Sequence, residues 1–229
     1  MGTDDLFKKR KGRKLKRKEN IRQMAPYRYL IVCEGKKTEP NYFEGIKQRI
    51  EIKYKDKIDV RKKIELEIEG TGRNTQDLVN YTLEIRSLSK NIYGNVWVVF
   101  DKDDFSEEQF NNAINRANEN DIRVAWSNEA IELWFFLHFE YLDAAINRHQ
   151  YIDKLNDYFS KYKINNGKYN KSLPEIFDIL FKIGNVQKAI ERSIKLRSSH
   201  CELGNITNCS KNPCTTVDEL VKELFEYID

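Results

Sequence analysis

No stretch of this 229-residue sequence stays apolar for the roughly 20 residues that a membrane-spanning helix needs. The start is basic where a secretory signal would need an apolar stretch. These two absences predict a soluble, cytoplasmic protein with no membrane contact. Cysteine is scarce, with Cys33, Cys201, Cys209 and Cys214 the complete set. Without an export signal they are expected to be reduced thiols and not a disulfide framework. Cys33 lies in an apolar run and reads as a small core residue. The other three fall with His200 in HCELGNITNCSKNPC, expected as one loop. That spacing fits neither a zinc ribbon nor a knuckle, so they read as ordinary loop thiols. There are no internal repeats, and beyond Tyr141 there is no strand signal.

Charge, by contrast, is plentiful: a third of the residues are charged and 40% are hydrophobic. The length suits one α/β domain with a good core. The net charge of +4 is uneven. Lys8, Lys9, Arg10, Lys11, Arg13, Lys14, Lys16, Arg17, Lys18 and Arg22 face only Asp4, Asp5 and Glu19 in the opening segment. Such a block repels itself, so residues 1–24 are expected to form a disordered arm suited to phosphate backbones. A plain solubilising tail is the competing reading.

After the arm, strand and helix patterns alternate. Tyr29–Cys33 is a short apolar run rich in β-branched residues, a buried strand ending at Glu34-Gly35. Pro40 suits the first turn of a helix, and Tyr42, Phe43, Ile46 and Ile50 recur at helical spacing. Ile58 to Ile68 predicts a second strand, with Ile64, Leu66 and Ile68 on one face. A glycine loop, Glu69–Arg73, leads to a helix capped by Asn74 or Thr75. Val96–Phe100 is the clearest buried strand and ends at Asp101-Lys102-Asp103-Asp104. Ser106 caps the next helix, Ile122–Trp126 is a fourth strand, and Asn128–Phe139 reads as an apolar helix. The alternation predicts a mostly parallel four-stranded sheet with flanking helices over residues 25–140. Residues 141–229 predict a C-terminal helical extension, with helices near 148–162, 173–180, 185–196 and 216–227.

In such sheets ligands collect beyond the carboxyl ends of the strands. Glu34 ends the first strand, and Asp101 and Asp103 follow the third. Two residues apart on an extended segment, the two aspartates would point the same way. Close carboxylates repel each other, and a hard cation such as Mg²⁺ would keep them ionised. A metal held there can orient a scissile phosphate and offset developing charge. Glu34 could be a ligand, a general base, or both. Lys36, Lys37, Lys102 and Arg73 are the neighbouring cations for substrate phosphates. The bland alternative is that these acids merely cap helices.

The segment LIVCEGKKTEPNYF (30–43), with the basic run before it, closely resembles the opening motif of the RloB family. Gly72–Thr75, Val98–Asp104, Ser127–Trp134 and Asn212–Val217 also agree, so the resemblance spans most of the chain. It implies a Toprim-like α/β fold and makes Glu34, Asp101 and Asp103 catalytic, metal-binding acids for Mg²⁺, with Mn²⁺ as a substitute. It further implies a nuclease acting on RNA, transfer RNA included, or DNA. The implied setting is antiphage defence and abortive infection beside an AAA/ABC-type ATPase partner. Cys214 departs from the family pattern, where serine is expected. The chain is too short for a primase with its accessory domains and lacks a topoisomerase's tyrosine-bearing domain.

Other residues complete the reading. Glu132, a charge in an apolar helix, is expected near the metal as a supporting catalytic acid. Asn128 reads as a helix cap that can also touch substrate. Thr38 and Glu39 resemble a cap before Pro40, with Thr38 able to bond a phosphate. His138 reads as a packed histidine. Tyr27, Tyr42, Phe43, Trp97, Trp126 and Trp134 read mainly as core. The helical tail is expected to serve a homodimer or the ATPase contact. A non-catalytic nucleic-acid-binding or sensor subunit is the alternative function.

Overall fold

The computed structural model describes residues 25–55 and 64–228. The basic arm and Ile58 lie outside the described residues. Within them, five strands form one sheet: β1 (Ala25–Cys33), β2 (Glu65–Gly70), β3 (Tyr93–Asp101), β4 (Arg123–Asn128) and β5 (Cys214–Thr215), in the order β2-β1-β3-β4-β5. The first four run parallel, and β5 is antiparallel to β4. The helices are α1 (Thr38–Tyr54), α2 (Thr75–Leu88), α3 (Glu107–Glu119), α4 (Glu132–Leu137), α5 (Arg148–Lys161), α6 (Ile176–Ile183), α7 (Val186–Glu202) and α8 (Val217–Phe225). This is an α/β architecture consistent with a Toprim-like fold. No described helix is long and apolar enough to cross a membrane.

The apolar runs at β1 and β3 are continuous because both sheet faces are covered. Alternation within them divides the core. Tyr29, Ile31, Cys33, Trp97 and Val99 face a cluster that includes residues of α1, α4, α5, α6, α7 and α8. Leu30, Val32, Val96, Val98 and Phe100 face the other side, against α2 and α3. Each fully buried Leu, Val or Phe contributes about 1.5–3 kcal/mol. Helix starts follow the expected chemistry. Asn74 caps α2 by accepting from the Asp77 N–H at 3.0 Å. Ser106 and Gln109 form a capping box on α3, and Asn147 and Gln150 form one on α5.

The tail is not purely helical, contrary to expectation. Cys214 and Thr215 pair with Asn128 and Ser127 as the fifth strand. Threonine hydroxyls extend this short ladder: Thr215 Oγ1 donates to the Trp126 carbonyl (3.0 Å), and Thr216 Oγ1 to that of Val124 (3.1 Å). The same pairing prolongs β4 to Asn128, so α4 starts at Glu132 and not at 128. Asn128 is therefore no helix cap. Its amide donates to the carbonyls of Cys209 (2.8 Å) and Lys211 (3.0 Å), anchoring the tail loop. His200 and Cys201 end helix α7 instead of lying in a loop, and Cys214 is buried in β5. Tyr27 is exposed, unlike the other five aromatics expected as core.

Candidate functional site

The parallel register aligns the carboxyl ends of the two central strands. Cys33 pairs with Val99, so Glu34 follows beside the last residues of β3. The Glu34 N–H donates to the Val99 carbonyl at 2.9 Å. Its carboxylate accepts from the Asp101 N–H at 3.2 Å and from the Thr75 hydroxyl at 3.5 Å. The glycine loop after β2 closes on the same point. Gly72, at φ +68°, donates its N–H to the Glu34 carbonyl at 2.6 Å.

Asp101 and Asp103 converge, but not along an extended segment. Asp103 adopts φ +40°, a left-handed conformation that aspartate tolerates better than most residues. Its N–H donates to the Glu129 carbonyl at 3.1 Å, which holds the turn. Both carboxylates then meet on one side chain, Arg148, the first residue of α5. Arg148 Nη2 donates to Asp101 Oδ2 at 3.0 Å and Nη1 to Asp103 Oδ2 at 2.9 Å. Its Nε lies 3.9 Å from Glu132 Oε2. Glu132, 2% exposed at the start of α4, also accepts from the Tyr169 hydroxyl at 3.1 Å and faces Lys171 Nζ at 4.0 Å.

Glu39 completes the group. The expected cap turns inward instead: it is 5% exposed, and its Oε2 has no hydrogen-bond partner. A Cβ at Gly35 would stand 2.1 Å from that oxygen, so a larger residue there would push the Glu39 carboxylate aside. The result is an open cleft of about 200 Å³ lined by Glu34, Glu39, Asp101, Asp103 and Glu132 together with Arg148, Lys171 and Thr38. A larger cleft of about 310 Å³ along β2 shares none of these residues.

The electrostatics follow from five carboxylates facing two cations, Arg148 and Lys171. Burial raises Glu34 to about 7, with the Asp101 N–H opposing it. Burial, then Glu39 and Glu132, pushes Asp101 well above the usual carboxylate range. Burial likewise raises Glu39. Burial disfavours charge on Arg148, but Asp101, Asp103 and Glu132 outweigh it and hold the guanidinium firmly protonated.

Of the other anticipated residues, Thr38 lines this cleft. Lys36 and Lys37 are exposed just outside, and Arg73 lies over the Tyr81 ring at 4.2 Å. Lys102 Nζ donates to the Asp103 carbonyl at 3.1 Å. Sequence reading missed Glu39 as a cleft residue, and missed Arg148, Tyr169 and Lys171 altogether. His138 is packed, with Nδ1 3.0 Å from the Trp134 carbonyl and its ring against Trp134 and Tyr42.

Whether these residues suit a divalent metal turns on donor type and spacing. All the donors are hard carboxylate oxygens, and the buried, partnerless Glu39 Oε2 is one of them, which fits Mg²⁺ or Mn²⁺. The Arg148 guanidinium bridges Asp101 and Asp103. Among the described residues no three acid, histidine or cysteine side chains are drawn close enough to hold a metal ion.

Fold and cleft together define an α/β protein with a carboxylate cluster at the carboxyl ends of its central parallel strands. A family model described as RloB-like protein matches residues 29–224, and the chain belongs to that family. Neither the curated proteins nor the solved structures include a match.

Proposed function

We propose that this chain is a Mg²⁺-dependent nuclease that hydrolyses phosphodiester bonds of RNA or DNA. The observation that supports this most is the meeting of Glu34, Asp101 and Asp103 from two adjacent strand ends. These three would hold the metal, with Glu132 in support. When bound, the ion would offset charge building on the scissile phosphate. Glu34 is the residue placed to take a proton from an attacking water, to bind the ion, or to do both. Lys36, Lys37 and Lys102 stand at the rim, where cations can position a phosphate backbone. Resemblance to Toprim nucleases encoded beside AAA/ABC-type ATPases supports a role as the effector of an antiphage system, with transfer RNA among its substrates.

The test is direct. The purified full chain, given Mg²⁺ or Mn²⁺, should cut RNA or DNA, and Glu34→Ala should not. Sequencing nucleic-acid ends in cells expressing either form would identify the substrate. One observation favours a second reading, a non-catalytic binding or sensor subunit: Arg148 already neutralises part of the cluster. Lack of metal binding and of cleavage by the wild type would establish that reading instead.

A further inference from the structure

We propose that Arg148 and the divalent cation are alternative occupants of the acid cluster, and that the displaced guanidinium becomes a phosphate-binding group in the same cleft. This rests on the metal reading above and adds to it a coupling between metal entry and substrate grip.

The argument begins with distances. The Arg148 fork holds Asp101 Oδ2 and Asp103 Oδ2 at 3.0 and 2.9 Å from its nitrogens. Mg²⁺ binds oxygen at about 2.0–2.1 Å, so its ligands must crowd much closer together. Carboxylates spread around a planar guanidinium cannot also surround a small ion. The arrangement without a cluster close enough for metal is the one expected when an arginine sets the spacing.

The surroundings indicate which part leaves the cluster. Asp101 ends a central strand, Asp103 is pinned through its backbone N–H to Glu129, and Glu132 is tied to Tyr169. Arg148 hangs from the first turn of α5 on a long side chain, and its Nε has no hydrogen-bond partner. Two buried polar atoms in the cleft, that Nε and Glu39 Oε2, are thus unmatched. A fully settled structural ion pair would not leave them so. The cleft also holds five acidic side chains against two cations, Arg148 and Lys171.

Once released, Arg148 remains in a cleft shared with Lys171 and Thr38. A guanidinium beside an ammonium and a hydroxyl suits one phosphate group, which the fork can hold with two parallel hydrogen bonds. Phosphate binding would then draw Arg148 away from the acids and strengthen metal binding. Linkage makes that coupling reciprocal.

Calorimetric titration of the metal-free full chain with Mn²⁺ tests the competition. Arg148→Lys keeps the charge but loses the fork, and Arg148→Gln loses both. Mn²⁺ should bind Arg148→Lys about 3-fold and Arg148→Gln about 10-fold more tightly than wild type, the scale of one charge-assisted contact. With Mn²⁺ saturating, inorganic phosphate should bind Arg148→Gln about 10-fold more weakly than wild type. Arg148→Lys also guards against a general electrostatic effect or a folding failure of the neutral variant. Wild-type Mn²⁺ binding with unchanged or weaker binding by Arg148→Lys overturns the competition alone. Unchanged phosphate affinity in Arg148→Gln overturns the phosphate role. No Mn²⁺ binding by any of the three proteins overturns the metal reading and this proposal with it.

Discussion

Arg197 and Arg148 both fork onto aspartate, and they do so in opposite styles. Arg197 on α7 concentrates on Asp218 of α8, through a fork at 2.5 and 2.6 Å, with the more exposed Glu219 3.8 Å away. Ser193 Oγ donates to the same carboxylate at 2.6 Å, and Arg197 also donates to the Thr215 carbonyl. The knot ties α7, β5 and α8 together. Arg148 divides itself among Asp101, Asp103 and Glu132, keeps an unpartnered Nε, and sits in an excess of acid. The same chemistry fastens the fold in one place and leaves a cleft able to exchange cations in the other.

The sharpest way to break this comparison is to remove acids from each region. Glu34→Ala, Asp101→Ala and Asp103→Ala should each lower cleavage by about 10³-fold or more, the usual scale for losing a group that stabilises transition-state charge. Gel or sequencing assays with Mg²⁺ measure this. Wild-type rates in all three variants would remove the cluster from catalysis. Asp218→Ala should instead act on the fold. It breaks the fork of a largely buried guanidinium, leaving it the looser Glu219 contact, and should cost about 3–5 kcal/mol, read from denaturant midpoints. Asp103→Asn is the contrasting control. It relieves crowding among like charges and should cost less than about 1 kcal/mol. Equal losses for the two would erase the distinction drawn here.

Four cluster acids were legible in sequence, Glu132 as a charge in an apolar helix and Glu34, Asp101 and Asp103 from strand ends. Apolar runs that stop at acids, Val32-Cys33-Glu34 and Val99-Phe100-Asp101, mark where a parallel sheet delivers ligating groups. Arg148, Tyr169 and Lys171 came from the tail and carried no local mark. Asn147-Arg148 reads only as the start of a helix, and nothing near it points to Asp103, 45 positions earlier. Glu39 looked like a first-turn acid because Pro40 follows it. In the fold its carboxylate turns inward against Gly35. Strand β5 escaped notice because it is two residues long and relies on threonine hydroxyls for part of its hold on β4. Asp103 was foreseen in the site but not in its conformation. The turn depends on a contact with Glu129 across the sheet end, beyond the reach of strand periodicity.

His138 offers a third treatment of a buried polar group: it is kept neutral. Burial lowers its pKa from 6.5 to about 4, although hydrogen bonding to Trp134 opposes this. Above pH 6.5 the ring is neutral whether folded or unfolded. Between 6.5 and about 4 the unfolded chain takes up a proton that the folded protein refuses, so stability falls as pH falls. The loss attributable to this ring should reach roughly 3 kcal/mol. Glu34 acts oppositely, since its raised pKa makes the folded form the better proton acceptor below about 7. Subtracting the profile of His138→Gln from that of wild type isolates the histidine. A flat difference between pH 7 and 4 would show that the buried ring is protonated without penalty.

The smallest expected effect probes how firmly the acid cluster is held. Tyr169→Phe removes the 3.1 Å hydrogen bond to Glu132 while preserving ring packing against Phe135 and Phe159. Deleting a bond to a charged group usually costs about 1.5–3 kcal/mol. Here Glu132 retains Lys171 and Arg148 at 4.0 and 3.9 Å, and either can draw nearer. The loss should therefore stay near 1 kcal/mol, below that range, by thermal or urea unfolding. A loss near the 3–5 kcal/mol expected for Asp218→Ala would mean that the cluster is as rigid as the Arg197 knot. An exchangeable cation site requires the smaller value, because its acids must shift when one cation replaces another.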